Sequence, residues 1–212
     1  MKCARFLASM GLAVILGLLW QFGVGGQEEL AARINPKAGV AKNASLLHAG
    51  QSNDDWKAVL AESLPLLGHR NWIVVADSAY PLQTAPGIKT IYAGGDHLEA
   101  IDHTLKAIDN ARHVQGIIHI DSELEFVPKE HAAGIVEFRS GLNPMLKNRE
   151  VKQLNHEEII KQLDEAGKTF EVLLIKTDFT LPYTSVFIRL DAGYWSAEAE
   201  EALRKAMSDS KK

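Results

Sequence analysis

Cysteine is all but missing from this chain. Its one example, Cys3, lies at the amino end, so no intramolecular disulfide can form and the fold must rest on packing alone. Nor is positive charge in excess: 23 Lys and Arg stand against 27 Asp and Glu, a formal net charge of −4. Proteins that hold phosphate backbones gather Lys and Arg into a patch, and without one nucleic acid is not expected as a partner. The usual phosphate and nucleophile signatures are missing too. There is no P-loop, no dinucleotide-binding G-x-G-x-x-G and no G-x-S-x-G elbow. Eight histidines invite a metal, yet His156-Glu157-Glu158 lacks the second histidine of H-E-x-x-H, and His97 and His103 diverge on a helix. No metal or organic cofactor is expected. Most histidines read as solvated, while His119, alternating with Ile118 and Ile120, reads as a hydrogen-bonded core histidine.

What is present is enough for one packed domain. The 212 residues are 46% apolar and 24% charged, the balance of a soluble globular protein. Lys2 and Arg5 precede an apolar run from Phe6 to Trp20, and small residues then lead to Gln27-Glu28-Glu29. That order predicts a signal peptide over 1–26, with Val24 and Gly26 at the peptidase sites, a secreted or periplasmic mature protein, and no membrane attachment after cleavage, an uncleaved N-terminal anchor being the alternative. Residues 27–53 read as a lead-in segment and 54–212 as the domain.

Within the domain, Asp54 or Asp55 caps a helix carrying Trp56, Val59, Leu60 and Ser63, with Gly68 as its left-handed stop. Trp72–Ala76 is a buried strand ending in Asp77, and Ile88–Ala93 is a second strand closed by Gly94-Gly95. A helix from His97 to about Arg112 spaces Leu98, Ile101, Leu105 and Ile108 at helical intervals, and Val114–Ile120 follows as a strand. Punctuated by Pro128, Gly134, Gly141 and Pro144, the stretch 123–149 has no clear period. Asn155 caps a helix over His156–Ala166 that Gly167 ends. Phe170–Ile175 and Val186–Leu190 are the last strands, and Ser196–Met207 is a terminal helix running from acidic to basic. Alternating helices and strands imply a layered α/β domain with a substantially parallel sheet.

Two constellations carry candidate chemistry. Glu123 and Glu125 share a face if their segment is extended, a carboxylate pair of glycosidase type that would suit an exported hydrolase. His69 stands before the strand Trp72–Ala76 and Asp77 after it, so an imidazole and a carboxylate flank one strand. Leu67-Gly68-His69, Asp77 and Pro81 together form an L-G-H-x7-D-x3-P pattern. With Asn155-His156-Glu157-Glu158 and Leu181-Pro182-Tyr183-Thr184-Ser185 downstream, in that order, the chain resembles the D-ribose pyranase and L-fucose mutarotase family (RbsD and FucU). The resemblance runs from about Asp54 to Tyr194.

It implies an RbsD-like fold and an isomerase that interconverts anomers or ring forms of a free monosaccharide. It also implies a homo-oligomer with sites at subunit interfaces. His69 is the implied acid/base, since histidine's unperturbed pKa of about 6.5 leaves both protonation states populated near neutrality. Asp77, His156, Tyr183, Thr184 and Ser185 are the implied sugar-binding residues. Ser185 replaces the family's asparagine, and an export signal departs from members that act inside the cell. A sugar-binding module of the same fold without turnover is the alternative these departures favour.

Overall fold

The computed structural model describes residues 55–210, so the predicted signal peptide and lead-in segment lie outside the described residues. The described chain is a three-layer α/β arrangement. In order it forms α1 (Asp55–Ser63) with a 3-10 turn at Leu64–Leu66, β1 (Trp72–Ala76), β2 (Ile88–Tyr92), α2 (His97–Asn110) and β3 (Val114–Asp121). A 3-10 turn at Ser122–Phe126 leads to α3 (Ile135–Leu146), β4 (Val151–Leu154), α4 (His156–Ala166), β5 (Val172–Lys176), β6 (Val186–Ala192) and α5 (Ala197–Asp209). No helix among the described residues is long and apolar enough to cross a membrane.

The six strands lie in the order β2-β5-β1-β6-β3-β4. β1 and β2 both run parallel to β5, β3 runs parallel to β4, and β6 is antiparallel to the β1 and β3 that flank it. Five strands therefore share one direction, and the sheet is substantially parallel as the alternation implied. Side chains alternate across the pleat and divide the core in two. Ile73, Val75, Ile118, Ile175 and Ile188 face a layer containing Leu60 of α1, Ile101 and Leu105 of α2, and Phe138 of α3. Trp72, Val74, Leu174 and Phe187 face Ile159 and Leu163 of α4. Both faces being covered, β1 is buried along its whole length, the reason its sequence is a continuous apolar run.

Four local readings change. Gly68 is not a left-handed stop: α1 tightens into the 3-10 turn that Pro65 opens, Gly68 donates its N–H to Asn71 Oδ1 at 2.7 Å, and the left-handed residue is Arg70, at φ 78°. The unreadable stretch 123–149 contains α3, preceded by Gly134 at φ 93° with Pro144 inside the helix. β4 was also hidden, because it is a sheet-edge strand without a fully buried residue. Glu123 and Glu125 do not share a strand face. They fall in the 3-10 turn after β3, where Glu125 is exposed and Glu123 turns toward α4.

Candidate functional site

In a sheet of this kind the loops after the parallel strands gather at one edge, together with the N-termini of the helices that follow. Here that edge collects the end of β1 with Asp77, the end of β3 with Asp121, the end of β5 with Thr177, and the first turns of α2 and α4. Because β6 runs the other way, its beginning arrives at the same edge and brings Tyr183, Thr184 and Ser185.

Asp77 and Ser185 are bonded in both directions. The Ser185 hydroxyl donates to Asp77 Oδ2 at 2.9 Å and accepts the Asp77 backbone N–H at 3.2 Å. Asp77 Oδ1 takes the N–H of Ala79 at 2.9 Å, an Asx turn that aims the loop away from the strand. The hydroxyl of Thr184 is turned inward, donating to the Leu181 carbonyl at 2.7 Å. That bond closes a tight turn in which Tyr183 is left-handed, at φ 59°. A residue with a Cβ is strained there, by about 1–3 kcal/mol, and the turn holds its ring partly in solvent. The Tyr183 ring stands edge-on to His156, with centroids 5.7 Å apart.

His156 opens α4. Its backbone N–H is held by both carboxylate oxygens of Glu123 at 3.1 Å, so Asn155 holds the N-cap position as expected but the side-chain bond to the helix end comes from Glu123, the Asn155 side chain instead accepting from Ser122. The His156 Nδ1 lies 3.2 Å from Asp121 Oδ1. The Asp121 side chain is 0% exposed, and its Oδ2 has no hydrogen-bond partner among the described residues. Burial, reinforced by Glu123 and Asp77 and opposed by His156, pushes the Asp121 carboxyl up to about 6. Burial also raises the Tyr80 phenol, with Asp164, Asp121 and Asp77 adding to the effect.

Behind this surface sits His97, an exception to the reading of most histidines as solvated, at only 1% exposed. Its Nε2 is 2.9 Å from the Thr184 carbonyl and its Nδ1 2.7 Å from Thr177 Oγ1. A carbonyl only accepts, so Nε2 carries the proton and the threonine hydroxyl bonds to Nδ1. The ring stacks on Phe179 at 5.0 Å. Burial holds its pKa below the usual histidine range, and the neutral imidazole pins the β5 loop to the turn before β6. His119 is also buried, with Nδ1 3.2 Å from the Ile117 carbonyl.

His69 is not with these residues. It precedes β1, whose five residues separate it from Asp77 by roughly 16 Å of strand. At that opposite edge His69 Nδ1 pairs with Asp191 Oδ1 at 2.6 Å. A cleft of about 560 Å³ opens beside the pair, lined among others by Gln115, Glu150, Tyr194 and Trp195. The Asp191 carboxyl is raised by burial, but the Ala192 N–H and His69 outweigh that and leave it below its ordinary value.

The structure thus unites Asp77, His156, Tyr183, Thr184 and Ser185 from three separate motifs, with Thr184 contributing its backbone and a turn-closing hydroxyl. It adds Asp121, Glu123 and His97, and it leaves His69 on the far edge with Asp191. Asp121 had a signal that sequence reasoning passed over: like Asp77, it directly follows an apolar strand run.

No protein-family model and no curated protein matches the chain. Among solved structures, the fold is similar to that of Bacillus subtilis RbsD complexed with D-ribose, at 20% identity and a TM-score of 0.47 over 63% of this chain and 92% of that one. It is similar also to the fucose mutarotase in complex with L-fucose from Streptococcus pneumoniae, at 19% identity and a TM-score of 0.42, covering 62% and 89%. FucU from Bifidobacterium longum matches at 12% identity and a TM-score of 0.40, covering 64% and 94%.

Proposed function

We propose that this chain is an exported isomerase that interconverts anomers or ring forms of a free monosaccharide, with its site completed between two copies. The observation that carries the reading is the convergence at one sheet edge of Asp77, His156, Tyr183 and Ser185, three motifs far apart in sequence whose order resembles that of the pyranases and mutarotases. A carboxylate, an imidazole and an aromatic ring suit a small polyol. Hydroxyls need fixed acceptors, and sugar C–H faces pack on rings.

Opening a cyclic hemiacetal requires a proton on the ring oxygen and loss of one from the anomeric hydroxyl, and closing reverses both. His69 is assigned one of these transfers. Since it lies at the opposite edge of its own sheet, it acts on a neighbour's cluster, with Asp191 holding its imidazole. A protein that must present two edges to other copies is a closed homo-oligomer.

Saturation-transfer NMR tests the activity directly. D-ribose and L-fucose, the sugars in two of the structures of similar fold, head the panel of aldoses. Accelerated anomer exchange with either supports the reading, and none with any aldose sinks it. A binding module without turnover is the second reading, favoured by the mutual bonding of Asp77 and Ser185. It predicts sugar binding with no acceleration. Export is tested separately: secreted protein should begin near Gln27, and retention of Met1 in a salt-washed membrane fraction would overturn cleavage.

A further inference from the structure

We propose that Asp121 is a positioning residue for His156, holding the imidazole with its proton on Nδ1 and leaving Nε2 free to take a proton from the sugar. The inference rests on the isomerase reading and supplies the second proton transfer, which His69 alone does not provide.

Three observations carry it. The Asp121 side chain is wholly buried, so it can meet a ligand only through His156, whose own side chain is 33% exposed. With Nδ1 turned inward to the carboxylate, the exposed part of the ring is the far side, where Nε2 lies, next to Tyr183. A tether for α4 does not explain Asp121 either. That helix end is already held by Glu123 on the His156 N–H, and a buried carboxylate with one oxygen unpartnered weakens a fold unless it has another use. Among the described residues, the charges that act on Asp121 besides His156 are Glu123 from the 3-10 turn and Asp77 from the end of β1, with Tyr80 from the loop beyond it, and none of these is a cation; Lys176, at the end of β5, is turned to the Tyr80 carbonyl at 2.6 Å.

In the step that follows, His156 Nε2 accepts the anomeric hydroxyl proton. The O–H electron pair becomes the second bond of the carbonyl as the ring C–O bond breaks. That bond's electrons go to the ring oxygen, which takes a proton from His69 of the neighbouring copy. Closure on either carbonyl face returns both protons, so no oxidant or co-reactant is needed. Asp121 stays ionised and stabilises the imidazolium.

The test uses the oligomeric protein. Nitrogen-15 NMR of the imidazoles at pH 8 reads the His156 tautomer without any sugar, and the wild type should show it protonated on Nδ1. Asp121→Val removes the acceptor; it should shift the ring toward the Nε2–H form and lower the maximal exchange rate about 10- to 100-fold with little change in sugar KM, as expected for loss of part of a general base's contribution. If His156 is Nε2–H in the wild type, or Asp121→Val exchanges sugar at the wild-type rate, the proposal is overturned. Should the variant fail to fold, the wild-type tautomer alone decides. A wild type that exchanges no sugar removes the isomerase reading instead, and the tautomer measurement tells the two failures apart.

Discussion

Two kinds of histidine occupy this molecule, and burial separates them. His97 and His119 are enclosed and structural, whereas His69 and His156 each keep an accessible face beside an aspartate. For the second kind we expect His69→Ala to lose about 100- to 10,000-fold in exchange rate while sugar binding largely survives, since a proton carrier is lost and the binding cluster is untouched. Asp77→Asn should weaken binding and rate together, and wild-type exchange in His69→Ala would end its assignment. The first kind governs acid stability. Burial lowers the His119 pKa to about 4, so the neutral ring's contribution is complete above about 6.5 and is lost as pH falls toward 4; His97 acts in the same direction. Asp121, raised to about 6, opposes them: its contribution is present below about 3.8 and lost as pH rises through 6. Two groups against one should make the melting temperature fall between pH 7 and pH 4.5, and His119→Phe should reduce that fall. An unchanged pH slope in circular-dichroism melts of the variant would refute this account of His119.

At the scale of elements, α4 shows how a helix start depends on a segment distant in sequence. Asn155 occupies the N-cap position, yet its side chain makes no bond to the helix, and the carboxylate of Glu123, from the turn after β3, supplies that bond instead. An anion at an N-terminus also meets the positive end of the helix dipole. Glu123→Ala should therefore cost about 1 kcal/mol in chemical denaturation, and Asn155→Ala distinctly less. The reverse ranking would restore Asn155 as the cap. The same contact positions His156, so Glu123→Ala should also slow exchange. Strands differed in legibility for a related reason. β1 is covered on both faces and reads as an apolar run, while β4, on the rim, has exposed Lys152 and Gln153 between the half-buried Val151 and Leu154.

For the whole molecule, the separation of His69 from Asp77 by the length of β1 carries the assembly prediction. If each site takes His69 from one copy and the Asp77 cluster from another, mixing His69→Ala with the weakened Asp77→Asn and allowing subunits to exchange should raise the activity above that of either variant alone, with about a quarter of the sites intact by random pairing. Light scattering should show an oligomer throughout, and a fully active monomer would sink the shared site. Sequence by itself determined the α/β alternation, most strand and helix spans, the buried run of β1 and the motifs holding His69, Asp77, His156, Tyr183, Thr184 and Ser185. The spans follow from local periodicity and turn chemistry, which act over a few residues, and the motifs from the resemblance to the pyranase and mutarotase family. Only tertiary structure decided which of them meet. The reversed direction of β6 carries Ser185 to Asp77, the crossover through α3 and β4 sets His156 against Asp121, and the length of β1 keeps His69 away from both. Each of those outcomes depends on strand order and direction, which pairing across the sheet fixes and no short window of sequence contains.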